Sequence, residues 1–224
     1  MLTVHHLNNS RSQRVLWLLE ELELPYEIVH YQRDPQTSLA PASLRAIHPL
    51  GKSPVVTTQD GLTLAESGAI IETLIERHGN GRLAPAVGSP EALRYRYWLH
   101  FAEGTAMSPL LLKLVFDRIE TSKMPFFAKP IAKAIAAKAK SAFINPNIAN
   151  HLGYMEAELG KSEWFAGDAF TGADIQMSFV VEASQARGGL DAKRPKLMSY
   201  LERIHARPAY KRALERGGPY ALLN

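Results

Sequence analysis

Two residue pairs in this sequence carry the types and spacing that small-molecule binding needs. Eleven residues separate Ser53-Pro54 from Glu66-Ser67. A proline fixes the backbone beside it and removes a donor. A serine that opens a helix sits beside free N–H groups, which favour a bound carboxylate. Glu66 suits an ammonium group. A ligand with both groups, an amino-acid-like end, would span the two.

The elements around these pairs bring them together. Val55-Val56-Thr57-Thr58 and Leu62-Thr63-Leu64-Ala65 flank Gln59-Asp60-Gly61, and Asp-Gly between strand-like runs signals a hairpin. After Glu66-Ser67, apolar Ile70, Ile71, Leu74 and Ile75 have helical spacing. Upstream, Leu2–His5 reads as a strand and Tyr26–Tyr31 as another. Arg11–Leu22 between them is helical, with apolar residues at 15, 18, 19 and 22. Ser43–Ile47 is a short helical turn stopped by His48-Pro49.

Ser53-Pro54-Val55 followed by Glu66-Ser67 resembles the glutathione-binding signature of the glutathione transferase family. The resemblance implies a cis Pro54, a Val55 backbone facing the cysteinyl part of glutathione, and a Glu66-Ser67 pair holding its γ-glutamyl end. It also implies a thioredoxin-like α/β N-terminal domain over 1–80 and an all-helical C-terminal domain over 90–224. That second domain would form the hydrophobic substrate site. Glutathione then enters as co-substrate with a small electrophile, and the chain as a homodimer in the cytoplasm.

Such an enzyme conjugates glutathione thiolate to electrophilic, largely apolar substrates. A thiol has to ionise to attack, and its ordinary pKa, near 8.5, leaves it mostly protonated at neutral pH. A hydrogen-bond donor beside a helix N-terminus lowers that value. Ser10 follows the first strand and precedes the first helix. It also stands four residues before Arg14, the spacing of the serine-type classes, which selects it as the catalytic residue. Ser10 and Gln13 also fit a capping box, a role compatible with donation. Ser12 and the amide of Asn9 are the alternatives. No tyrosine lies in residues 5–12 and cysteine is absent, so the tyrosine-type and cysteine-type classes do not fit. Two other readings share the same residues: a glutathione or apolar-ligand binding module without turnover, and glutathione-dependent reduction of peroxides or disulfides.

Secondary candidates surround these. Lys52 could pair with the glycine carboxylate of glutathione or be a solvated lysine, and His48 could do the same or be a plain loop residue. Arg11 could hold a carboxylate or the partner subunit, although an exposed helix arginine is the simpler expectation. Glu103 lies in an aromatic- and arginine-rich stretch of the kind found at interfaces. It could reach the γ-glutamyl amine across a dimer, against the simpler reading of one exposed acid on a core helix. Met107, Leu110, Leu111, Leu114 and Phe116 would line the electrophile pocket, or be core.

The rest of the chain sets bounds. Residues 79–90 hold three glycines and two prolines and read as a linker. Helical patterns then follow over Glu91–Ile119 with a bend near Ser108-Pro109, Phe126–Phe143, Ile148–Leu159, Gly172–Arg187, Leu197–His205 and Tyr210–Glu215. Thr171 and Asp174 form a capping-box variant. Trp164–Gly167 reads as core and turn. No apolar run approaches the roughly 18 residues a membrane helix needs, and Met1–His6 lacks signal-peptide character. The net charge of +4 is concentrated in Lys123, Lys129, Lys133, Lys138 and Lys140. With few interleaved aromatics, that stretch reads as a solvated helix face rather than a nucleic-acid or membrane surface. His5 and His6 point to opposite faces of a strand, so no metal site is expected.

Overall fold

The computed structural model describes residues 1–220 and 222. Strands β1 (Leu2–Leu7), β2 (Tyr26–Tyr31), β3 (Val55–Thr57) and β4 (Thr63–Ala65) form one sheet in the order β2-β1-β3-β4. β1 runs parallel to β2, joined by the crossover helix α1 (Ser12–Glu21), and antiparallel to β3, which pairs with β4 across the Asp60-Gly61 turn. Gly61 takes φ +84 there, and a Cβ at that position would meet nothing within 4 Å, so the glycine answers backbone conformation and not space. Helix α2 (Ala42–Ile47) follows β2, and α3 (Ser67–His78) follows β4.

After residues 79–89 the described chain is helical: α4 (Pro90–Phe101), α5 (Met107–Thr121), α6 (Ala128–Ala139), α7 (Asn145–Glu158), α8 (Gly172–Ala183), α9 (Pro195–Ala206) and α10 (Pro208–Gly217). Three five-residue π-helical turns interrupt or extend these helices, at Ala102–Ala106, Lys140–Ile144 and Ser184–Gly188. The first corrects the expected bend. α4 changes pitch at 102–106, before Ser108-Pro109, and Pro109 lies in the opening turn of α5, where a proline is tolerated. The second joins what the sequence reads as two helices, so that 128–158 is continuous. Pro146 falls just past that π-turn, in the first turn of α7.

α8 is buried along its whole length and forms the centre of the molecule, packed by α1, α3, α4 and α9. Its start is the expected capping box. The Thr171 hydroxyl accepts from Ala173 N, and the Asp174 carboxylate accepts from Thr171 N at 2.9 Å and Phe165 N at 2.9 Å. Trp164, Phe165 and Ala166 are core, and Trp164–Gly167 closes a tight turn, as expected.

Candidate functional site

Ser10 closes the turn after β1 and is only 4% exposed. Its Oγ accepts from Ser12 N at 3.2 Å and lies 2.7 Å from Ser12 Oγ. It also donates to Ser53 Oγ at 3.2 Å. The expected box between Ser10 and Gln13 does not form. Arg11 is the N-cap residue of α1 and makes no side-chain cap, and Gln13 N turns to the Ser10 carbonyl at 3.4 Å. The hydroxyl serves Ser12 because the chain enters the helix one residue later than the box requires.

Ser53 closes the gap between the sequence motifs. Its Oγ donates to the His5 carbonyl at 3.0 Å and accepts from Leu7 N at 3.3 Å. The Ser53-Pro54 bond is cis, and Val55 then enters the sheet opposite His5 on one side and Ala65 on the other. Lys52 is exposed and His48 half-buried, and among the described residues neither side chain makes a hydrogen bond or ion pair that would hold it in the site. Asn9 takes φ +51 at the tip of the β1–α1 turn.

Glu66 precedes α3 with φ +68 and ψ +118, a conformation that costs a non-glycine residue about 1–3 kcal/mol and gathers at functional sites. Its side chain is exposed at the helix entrance, and Ser67 beside it is buried. Ser67 Oγ accepts from Gln176 Nε2 at 3.2 Å. Gln176 stands on α8, 109 residues away, and sequence reading offers no signal for this support.

His6, which the sequence reading weighed only as a metal ligand, supports the site in another way. Its Nδ1 lies 2.8 Å from Ser12 Oγ. Burial, followed by the neighbouring His30 and opposed by the Gly217 backbone, lowers its pKa to about 4. The ring is therefore neutral at pH 7, and the tautomer that donates from its other nitrogen to the Gly217 backbone leaves Nδ1 to accept from the Ser12 hydroxyl. Ser12 and Ser53 then each have their proton committed elsewhere, and both present acceptor oxygens to Ser10. The single Ser10 proton has these two oxygens, or an incoming sulfur, as its choices. His5 turns to Tyr31 Oη at 2.9 Å and Thr57 Oγ1 at 3.0 Å, away from His6.

The roles expected of Arg11 and Glu103 change. Arg11 Nε bonds both Glu103 oxygens at 2.8 and 2.9 Å, and Arg14 Nη2 bonds Glu103 Oε1 at 2.9 Å. Within its own chain Glu103 is thus held by two arginines. Burial opposes its charge, but Arg14 and Arg11 hold its pKa below the usual carboxylate range. Arg14 is fully enclosed and donates also to the Gln176 carbonyl at 2.8 Å. Met107 and Leu110 are core, whereas Leu111 is exposed and Leu114 and Phe116 are half-buried. Only the outer part of the expected pocket stripe is open.

A thioredoxin-like domain whose strand end, cis-proline segment and helix start meet around one buried hydroxyl defines a thiol-handling class of protein. Residues 10–77 match the model of the glutathione S-transferase N-terminal domain and residues 120–216 that of the C-terminal domain. The chain is 36% identical to glutathione S-transferase 3 of Schizosaccharomyces pombe over 96% of its length and 88% of the relative's. It is 32% identical to glutathione S-transferase 1 of Saccharomyces cerevisiae, covering 96% and 95%. Among solved structures, a glutathione S-transferase from Actinobacillus pleuropneumoniae superposes with TM-score 0.80 at 32% identity over 100% of this chain and 96% of that one. A sphingomonad glutathione S-transferase complexed with glutathione gives 0.73 at 26%, over 96% and 98%. The chain belongs to the glutathione S-transferase family of enzymes.

Proposed function

We propose that this enzyme binds glutathione on residues 1–80 and conjugates its sulfur to a largely apolar electrophile held by residues 90–224, acting as a cytoplasmic homodimer that disposes of reactive compounds. The observation that carries this reading is the 3.2 Å contact between Ser10 Oγ and Ser53 Oγ. It brings the candidate thiol activator against the cis-proline segment expected to seat the cysteinyl group. In this reading the Val55 backbone and Ser53-Pro54 position the cysteinyl part. Glu66, Ser67 and the free N–H groups at the start of α3 take the γ-glutamyl end, and Lys52 and His48 lie on the side of the glycine carboxylate.

The thiol proton leaves to solvent, and the Ser10 hydroxyl turns from Ser12 and Ser53 to donate to the sulfur. The backbone N–H of Ser12 already holds Ser10 Oγ in place, so the donor needs only to rotate its proton. Stabilising the thiolate this way raises its population at neutral pH without a covalent enzyme intermediate. The thiolate then attacks the electrophilic carbon, forming a C–S bond while the leaving group departs with its electron pair.

Titration with glutathione at neutral pH, followed by ultraviolet thiolate absorbance, tests this. The wild type is expected to give a saturating thiolate signal. Ser10→Ala is expected to retain binding while the bound thiol pKa rises by about 1–2 units, with turnover down on the order of a hundredfold. Binding with no thiolate signal in the wild type would leave a non-activating module as the better reading.

A further inference from the structure

Arg33 and Arg187 each stand within electrostatic reach of Arg11, the chain neighbour of Ser10, and of Arg118. Arg11 and Arg14 share Glu103. Arg33, Arg118 and Arg187 form no ion pair among the described residues. Arg33 is anchored on the turn that carries Ser10: its Nε donates to the Asn8 carbonyl at 3.2 Å and its Nη1 to the Ser38 carbonyl at 3.1 Å. Arg118 ends a stripe on α5 that begins with Leu111, Leu114 and Val115, residues one and two turns away on the same helix face. Leu111 and Val115 are exposed. Arg187 lies in the π-turn that follows α8 and packs on α5. Its Nε is buried with no hydrogen-bond partner among the described residues, a costly condition for a charged group.

We propose that Arg33, Arg118 and Arg187 form an anion-binding rim beside Ser10, and that the preferred electrophile joins an apolar body to a carboxylate. The apolar part lies along Leu111, Leu114 and Val115, and the carboxylate meets the guanidiniums at the end of the stripe. Burial and then the charges of Arg11 and Arg118 depress the pKa of Arg33. Burial, Arg11 and Arg118 also depress that of Arg187, with Tyr220 opposing, so these cations stand within electrostatic reach of one another. Arginine suits the task because its planar fork matches a carboxylate with paired donors. This inference rests on the transferase reading for its chemistry, but the binding it describes can be measured without turnover.

The experiment uses matched probes that differ in one charge. With glutathione saturating, kcat/KM is measured for 4-chloro-3,5-dinitrobenzoate and for the corresponding benzamide, in the wild type, Arg118→Gln, Arg187→Gln and Arg118→Lys. In the reaction the thiolate bonds the chlorine-bearing carbon, chloride leaves with the C–Cl electron pair, and the thiol proton goes to solvent. In parallel, calorimetry compares the unreactive 3,5-dinitrobenzoate and 3,5-dinitrobenzamide on protein saturated with S-methylglutathione. The selectivity for the carboxylate is expected to fall about tenfold in each glutamine variant, and partly to return in Arg118→Lys. It is also expected to weaken with added salt. Equal wild-type affinity for the two unreactive probes overturns the proposal. So does a rise in glutathione KM with the probe selectivity intact, which would assign the arginines to glutathione itself. Tighter carboxylate binding without turnover of either chlorinated probe upholds the rim and removes the transferase reading.

Discussion

At the residue scale, the site depends on where a few protons point. In the proposed reaction Ser10 has one proton and three acceptors, and the two protein acceptors are set by His6 through Ser12 and by the His5 carbonyl through Ser53. His6 therefore has to stay neutral, and its burial, together with His30, ensures this by lowering its pKa to about 4. The unfolded chain binds a proton on this histidine below about pH 6.5, while the folded chain does not. Stability is thus full above pH 6.5 and is lost as the pH falls through about 4. A shift of this size corresponds to about 3 kcal/mol at the acid end. Denaturant unfolding at pH 7 and pH 4.5 is expected to show a loss of about 2–3 kcal/mol from this group, and His6→Gln is expected to remove most of that pH dependence. An unchanged pH dependence in His6→Gln would move the cause to another group. Sequence reading could single out Ser53-Pro54 and Glu66-Ser67 as two short pairs around one hairpin, and Ser10 by the family resemblance through its distance from Arg14. It could not see Gln176 behind Ser67, or Glu103 on Arg11 and Arg14, since those contacts join segments about 90 to 110 residues apart.

At the scale of elements, periodicity carried most of the reading. The two strands around Asp60-Gly61, the crossover helix and the capped start of α8 all lie where alternation, apolar spacing and turn residues put them. The misplaced features have a common physical origin. A π-turn inserts one residue without leaving the helix, so 102–106 and 140–144 have no punctuation in the sequence, while Pro109 and Pro146, which look like breaks, sit in first turns where their missing N–H costs little. Ser10 and Gln13 matched a capping box whose geometry, among the described residues, is used at Thr171 and Asp174. There Asp174 is enclosed and satisfies two backbone donors, and burial pushes its pKa up to about 6 in spite of them. Thr171→Ala is expected to cost about 1 kcal/mol. Asp174→Ala strands the buried N–H groups of Phe165 and Thr171 and is expected to cost about 3 kcal/mol or more. Asp174→Asn, which keeps one acceptor oxygen, should fall between them. A loss of about 1 kcal/mol or less for Asp174→Ala in urea unfolding would show that the carboxylate is not what holds this helix start.

At the scale of the whole molecule, the two domains are bound closely. α10 returns to α1, where Arg207 pairs with Glu21, and Arg212 and Arg216 both pair with Glu20. Arg14 crosses from α1 to the Gln176 carbonyl of α8. The later helices are therefore held against α1 by the chain itself, and the Ser10–Ser53 and Ser67–Gln176 contacts both form within one chain. What a dimer would cover is visible on α4. Tyr95, Trp98 and Phe101 face inward, but Leu93 is 69% exposed and Tyr97, one turn on, 45% exposed, while Tyr97 stacks on Phe101. Apolar and aromatic side chains left open on one helix face are the composition of an interface core. The homodimer proposed above is expected to close over this face. Leu93→Asp places a charge at its centre, and in sedimentation velocity it should shift the protein from dimer toward monomer at micromolar concentration. Because each site is built within one chain, the thiolate signal of bound glutathione is expected to survive in that monomer. A wild type that sediments as a monomer would remove the dimer. A dimer untouched by Leu93→Asp would place the interface elsewhere, and a monomer without thiolate signal would mean that the partner completes the site after all.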